Sequence, residues 1–565
     1  MTTITVYLLL SLALLLLLYL IRQAYPRPYP GIPYLAPSAR RLWGDLPHIL
    51  PVISLTQDPA KYVYSLCRQL NSPVIQLFLR PFSAPIIFVD DVREVKDILG
   101  MRTMEFDRAP STQAVFAPFL PHASIAKRTT PEWRAQRRLW EGVMGRDFLR
   151  RVAAPRMLGC ARELCELLRV KAEIAGGRPF YVFEDFDLAA FDVIWTVIFG
   201  RNLEALVTER KGILEHREDV VLPGSKDELA VFPTLRRPEI YEAVAWFVKG
   251  VEKTLRSLSQ PWHHWVLRQM PAYRAKWAMK ERLVSGLIHD TRSKLADLAD
   301  DQLDTFEDTC AMDMALRRER LAYDGKFDAR PPTTREIHDE LFMFLVAGHE
   351  TKAVTLSWTV KFLTNNRAAQ TKLREDLLLS LPNGVNSTTE EIMNTPIPYL
   401  EATMEEAVRL GNIHPRLVRI ATVDTQILGY PIPKGANVVF SSYVAEKPVD
   451  IPEEQRSKRS QQTKVNFRKH YDDDMEDFIP ERWLNEKGEF DSHQYPTLAF
   501  SAGPRVCYGR ALARQELRIT LTLLILSFRF EPVPEKYNSM GAHQRILRVP
   551  QQCYVRLTPL DHAKI

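Results

Sequence analysis

The stretch "FSAGPRVCYGR", Phe500 to Arg510, decides the fold. It sets Cys507 between Gly503 and Gly509, with Arg505 and Arg510 close by. A lone cysteine in an apolar stretch is ordinarily a small buried hydrophobe. Here the glycines suit tight turns and close backbone approach, and Pro504 removes a backbone donor, so the chain bends instead of continuing a regular element. The next run, "RALARQELRITLTLLILSF", has helical apolar spacing. That places Cys507 near a helix N-terminus, where anions are stabilised, and the arginines favour thiolate over thiol. The expectation is a site built for a thiolate, either a nucleophile or a metal ligand. No second Cys or His lies in the loop, which argues against zinc and its clustered ligands. Haem iron needs only one axial protein ligand, and a thiolate is one of the options.

The chain has 565 residues, 46% of them hydrophobic, which is ample for a large core. Its net charge of +6 is too diffuse to argue for nucleic acid, though a basic face for an acidic partner fits. Cys67, Cys160, Cys165, Cys310, Cys507 and Cys553 show no disulfide spacing and read as reduced thiols. Upstream of everything lies "ITVYLLLSLALLLLLYLI", residues 4–21, long enough as a helix (roughly 27 Å) to cross a bilayer. It lacks the basic start and small-residue cleavage site of a signal peptide. Arg22, Arg27, Arg40 and Arg41 follow it, which predicts a cytosolic C-terminal side. A proline-rich hinge, residues 22–45, then leads into a single domain over 46–565.

Within that domain, "VIQLFL" and "PIIFV" read as a hairpin, helices fill the middle, and "DTQILGYPIPKGANVVF" returns to strands and turns. The tail "RILRVPQQCYVRLTPL" reads as a closing hairpin, and about residues 453–477 as a charged, exposed insertion. "SQPWHHWVLRQMPAYRAKW" reads as a loop bounded by Pro261 and Pro271. The segment "PPTTREIHDELFMFLVAGHETKAVTLSWTVKFL" opens on a capping box, Thr333 with Glu336, and is apolar enough to cross the core. In its middle stand Gly348, His349, Glu350 and Thr351. A mid-helix glycine costs about 1 kcal/mol against alanine, and a buried Glu costs more unless paired. The local reading of Thr351 is a hydroxyl bonded back to the Ala347 carbonyl. His349 reads as a solvent-facing or packing residue. Further on, "YLEATMEEAVRL" offers Glu406 and Arg409 one turn apart, "FIPERWL" offers Arg482, and "PEWRAQRRLW" offers Trp133 and Arg137.

Taken in order, these motifs resemble the cytochrome P-450 family, the haem-thiolate monooxygenases. Phe500, Gly503, Arg505, Cys507 and Gly509 resemble its haem loop, and "AGHET" resembles its distal helix signature. The resemblance covers nearly all residues after the hinge and implies a mainly α domain with small β-sheets. It implies haem b with Cys507 as axial ligand, and Trp133, Arg137 and Arg505 as propionate partners. Arg419 is a further partner, with Arg416 its close competitor. It implies Thr351 as the hydroxyl that handles dioxygen and Glu350 as the acid that relays protons. Lys352 departs from the family, which often has a second hydroxyl there. Glu406, Arg409 and Arg482 are implied as a structural network beneath the loop. The reaction implied is insertion of one oxygen atom into an apolar small molecule, with electrons from NADPH through a reductase. The implied location is the endoplasmic reticulum membrane. The region of Trp262 and Trp265 matches the family's loop that dips into lipid, and the overall style resembles filamentous-fungal members active in secondary metabolism. Two alternatives remain within the haem class: an isomerase or dehydratase of oxygenated lipids, which tends to lack the acid–threonine pair, and a non-catalytic haem carrier or sensor.

Overall fold

The computed structural model describes residues 3–257, 259–324, 332–443, 449–462, 474–495 and 497–560. It is mainly α-helical with small sheets. The largest sheet holds strands β1 (Val74–Leu77), β2 (Ile86–Val89) and β3 (Phe106–Arg108), joined by two later strands. β1 and β2 form the expected antiparallel hairpin. A short strand β4 (Phe180–Tyr181) follows, then β5 (Arg416–Ala421), the hairpin β6 (Thr425–Ile427) and β7 (Tyr430–Ile432), and β8 (Asn437–Ser441). The large sheet runs β1-β2-β8-β5-β3, so residues more than 300 positions apart lie side by side. Its register puts Arg108 of β3 opposite Arg419 of β5.

The C-terminal strands depart from the expected hairpin. β9 (Phe528–Glu531), β10 (Ala542–Gln544), β11 (Arg548–Pro550) and β12 (Tyr554–Pro559) divide between two sheets. β11 pairs with β10, whereas β12 pairs with β9 and with β4. β10 and β11 are a local pair, whereas β12 finds one of its partners, β4, far back in the chain, which local sequence does not mark.

Two helices cross the centre. The Phe183–Phe199 helix is buried on nearly every face. Against it packs the distal segment, which forms two helices, Thr334–Gly348 and Glu350–Asn365, with a break at His349. The capping box of Thr333 and Glu336 is formed at its start. Gly348 is required by packing: a Cβ there would lie 2.7 Å from the Ile194 side chain of the crossing helix. His349 is buried at the break, not solvent-facing. Its Nδ1 lies 2.8 Å from the Leu345 carbonyl, and its ring meets Phe191 edge-on.

Two other expectations change. Residues 260–269 are a helix, Gln260–Gln269, and Pro271 opens the next one, Pro271–Ala296. Both prolines sit in first turns, where a missing N–H costs nothing. Within the stiff hinge, Tyr29 and Ile32 are tied to Gln76 of β1 through its side-chain amide. The charged insertion is not simply exposed at its start. Arg93 pairs with both oxygens of Glu453, and Arg456 pairs with Asp91, so its first part docks on the Val92–Met101 helix. Residues 463–473 lie outside the described residues. At the N-terminus the apolar helix runs Thr3–Ala24, with side chains largely exposed, and the window Tyr7–Ala24 is long and apolar enough to span a membrane.

Candidate haem-thiolate site

Cys507 sits at the mouth of the Arg510–Ser527 helix, in a loop closed by its own N–H donating to the Phe500 carbonyl at 2.8 Å. Gly503 takes a left-handed backbone (φ 66), and a Cβ there would collide with the Leu99 carbonyl. Gly509 is different. It needs no unusual backbone, and a Cβ there would meet no protein atom, so it faces open space. That space is a cavity of about 370 Å³ lined by Phe500, Arg505, Cys507, Gly509, Trp133, Arg137 and Arg108 on one side, and by Ala347, Gly348 and Thr351 on another. The Thr351 hydroxyl donates to the Ala347 carbonyl at 2.8 Å. The site therefore brings together Cys507 and Thr351, which lie 156 positions apart in sequence.

The electrostatics of the loop differ from the sequence expectation. Burial pushes the Cys507 thiol up, and the Gly509 N–H, Arg137 and Arg510 only partly oppose this. Arg505 does not serve the thiolate. Its guanidinium lies 3.8 Å from the Trp133 ring and donates to Thr129 Oγ1 at 2.9 Å and to the Lys127 carbonyl at 2.8 Å. A cation bound at the sulfur would deprotonate it outright.

The arginines tell the same story from the other sign. Burial and mutual repulsion lower Arg505 to about 9 and Arg108 to about 10, and burial lowers Arg419 to about 10. Asp107 is the carboxylate among them, and it is already bonded to Arg128 and to Thr129. Arg137 joins this group 4.0 Å from the Tyr508 ring, with Glu340 as a second carboxylate in its field, so the arginines still outnumber the carboxylates. Arg416 lies in the field of Tyr64 and Asp58, whereas Arg419 borders a small separate pocket with Asp107, Thr129 and Arg505, outside the Cys507 cavity itself. Buried cations in excess of carboxylates call for an anionic occupant. A ligand with an iron for Cys507, a flat body for the space beside Gly509 and two carboxylates for the arginines meets every one of these demands. Haem b fits the residues present.

Sequence reasoning missed two contributors. Arg108 has no motif around it, and only the pairing of β3 with β5 brings it to the site. Glu340, buried on the Thr334–Gly348 helix, accepts from Ser124 Oγ at 2.6 Å, Ser124 N–H at 2.7 Å and Gln136 Nε2 at 3.0 Å. With Asp339 bonded to the His122 N–H and Glu336 to Lys127, it clamps residues 122–127 over the cavity.

Glu350 opens the second distal helix and turns away from Thr351, toward Asp187 and Glu252. Burial, reinforced by those carboxylates, raises it to about 7. Lys352 turns back to the helix after the thiolate loop and forms a buried ion pair with Glu516. In the core, the fully buried Glu406 carboxylate accepts from Arg409 at 2.7 and 2.8 Å, Trp483 Nε1 at 2.9 Å, Ile479 N–H at 3.0 Å and Arg482 at 3.3 Å.

Comparison with known proteins agrees with this geometry. The sequence model of the family described as Cytochrome P450 matches residues 44–448 and 465–556, leaving part of the charged insertion unmatched. "Cytochrome P450 monooxygenase GME11363" of Pestalotiopsis microspora is 32% identical, covering 97% of both chains. "Cytochrome P450 monooxygenase TRI13" of Fusarium sporotrichioides is 30% identical over 98% of this chain and 99% of its own. "Cytochrome P450 monooxygenase xilC" of Penicillium rubens is 31% identical over 94% and 92%. The class of protein is thus a haem-thiolate monooxygenase, an oxidoreductase. The chain belongs to the cytochrome P450 family.

Proposed function

We propose that this enzyme inserts one oxygen atom into an apolar small molecule, with electrons drawn from NADPH through a membrane-bound reductase. The observation that carries this reading is one cavity that presents the Cys507 thiol and the Thr351 hydroxyl to the same space, between apolar walls. Bound through Cys507, haem supplies dioxygen activation, and the thiolate's electron donation favours O–O cleavage. The chain's own part is positional. Arg108, Arg137, Arg419 and Arg505, with Trp133, hold the propionates, and Gly503, Gly509 and Phe500 shape the cradle. Thr351 supplies a hydroxyl over the reacting centre. Glu350, poised near neutrality, moves protons inward from the Asp187 side of the distal helix. Glu406, Arg409 and Arg482 support the loop from below.

The N-terminal helix supports a membrane anchor, and we read the site as cytosolic, at the endoplasmic reticulum. The fungal relatives support a place in secondary metabolism. The test is coexpression with a fungal reductase and a screen of apolar compounds. We expect a thiolate-type spectrum with carbon monoxide after reduction, and NADPH-dependent product. Turnover without a reductase, or isomerised product without oxygen uptake, would overturn the reading in favour of the isomerase class.

A further inference from the structure

The Pro398–Gly411 helix ends in a turn where Asn412 takes left-handed backbone (φ 30). This delivers His414 to the cavity that also holds Cys507 and Thr351. The segment is fixed at successive positions. The Asn412 N–H donates to Val408 at 3.1 Å, and the Ile413 carbonyl accepts from the Arg548 N–H at 2.9 Å. The His414 carbonyl accepts from the Ser442 hydroxyl, and the Pro415 carbonyl from the Ser442 N–H at 3.1 Å. The imidazole is therefore presented from a pinned backbone, as a recognition group needs to be.

The ring itself makes no hydrogen bond among the described residues. Burial lowers it to about 4, with no charged neighbour contributing. It thus stands apart from the arginine group, whose members repel one another, and is not another propionate partner. A neutral imidazole offers one N–H donor and one acceptor nitrogen. His414 is part-buried at the cavity wall, and a ligand that displaces water from its ring binds well only if it offers those groups a partner.

We propose that His414 is a specificity-determining residue that hydrogen-bonds a hydroxyl or carbonyl oxygen on an otherwise apolar substrate. The proposal rests on the monooxygenase reading. It means that the enzyme acts on a molecule already carrying oxygen, so the reaction that supplies its substrate is one that installs or retains an alcohol or ketone. The His414–oxygen contact sets orientation, and the apolar walls supply affinity.

The test uses the holoenzyme and two series of 1-alkylimidazoles of graded chain length, one ending in methyl and one in hydroxyl. The azole nitrogen binds the iron, so every member gives a spectral Kd. A hydroxyl buried without a partner weakens binding relative to methyl. We expect that penalty to vanish at one chain length, where the hydroxyl reaches His414. His414→Phe, which keeps a ring, should restore a penalty of about tenfold at that length alone, and His414→Gln should recover much of the lost affinity. An alcohol-to-alkyl ratio unmoved by His414→Phe at every length would overturn the proposal. Failure of the monooxygenase reading shows separately, as a wild-type holoenzyme without the carbon monoxide spectrum. With that spectrum intact and the ratio unmoved, only the role of His414 falls.

Discussion

Cys507 and Thr351 face one cavity but answer to different tests. Cys507→Ala removes the ligand, and the expected outcome is loss of both the thiolate spectrum and product. Cys507→Ser retains some haem with an altered spectrum. Thr351→Ala loses only a local bond to Ala347, worth about 1 kcal/mol. It is expected to keep its haem but to consume NADPH with peroxide released in place of product. Fully coupled turnover by Thr351→Ala would return Thr351 to a packing role. Glu350 adds a pH signature. Its carboxyl is raised from 4.5 to about 7 in the folded chain. The folded state therefore binds this proton more tightly than the unfolded one. Its contribution to stability is intact below about pH 4.5 and is lost as pH rises toward about 7. Glu350→Gln should gain on the parent enzyme by up to about 3 kcal/mol between pH 4.5 and pH 8, measured as the shift in urea midpoint at each pH. An identical shift at both ends would show that folding leaves the Glu350 pKa where it is in the unfolded chain.

At the level of elements, the site hangs on two buried charge networks. Glu406 gathers four donor groups, and removing it takes the shared carboxylate from Arg409 and Arg482, leaving Arg482 with Asp474 and Arg409 with backbone carbonyls. Breaking such a pair costs about 3–5 kcal/mol, so Glu406→Ala is expected to yield little holoprotein on a carbon monoxide assay. Trp483→Phe loses a single bond and should load haem almost normally. The Lys352–Glu516 pair joins the second distal helix to the helix that starts beside Cys507. Lys352→Met leaves Glu516 buried and unpaired and should destabilise strongly. Lys352→Met with Glu516→Met together should restore much of the melting temperature, because two apolar groups avoid the desolvation that the pair must offset. This pairing explains Lys352, which the sequence showed only as a departure from family habit. The motifs that could be read in advance, Cys507 in its glycine loop, Glu406 with Arg409, and Thr333 with Glu336, depend on close spacing. Glu516 as the partner of Lys352, and Arg108 as the neighbour of Arg419, depend on how distant elements cross. Nothing in a linear reading specifies that crossing. The Gln260–Gln269 helix was missed for another reason. Pro261 and Pro271 read as loop boundaries, yet each occupies a helix first turn.

On the scale of the whole molecule, Trp262 and Trp265 are 67% and 62% exposed on that short helix. They do not pack inward, and with Arg268 beside them they suit a lipid interface. Deleting the residues before Tyr29 is expected to leave a domain that still binds liposomes. In that truncated form, Trp262→Ser with Trp265→Ser should weaken sedimentation with the liposomes while leaving the haem spectrum unchanged. A truncated domain that ignores liposomes would make the N-terminal helix the sole anchor. The truncation point matters, since Tyr29 and Ile32 are bonded to Gln76 and a longer deletion would strip that amide.

The pairing of β12 with β4, and of β11's Arg548 with Asp58 and the carbonyls of Leu410 and Gly411, also has a bearing on biosynthesis. The ribosome makes the apolar anchor first and these closing strands last. Tyr181 waits for Tyr554, and the end of the Glu406 helix waits for Arg548, so the domain cannot finish folding from its N-terminus as it emerges. Cys507 itself is made within the final tenth or so of the chain. At about 5–20 residues per second, about twenty seconds or more separate the synthesis of Tyr181 from that of Tyr554, and β4 lacks its partner strand for that time. The cavity wall at Gly411 and Ile413 therefore sets only once Arg548, made after Cys507, has arrived to bond their carbonyls.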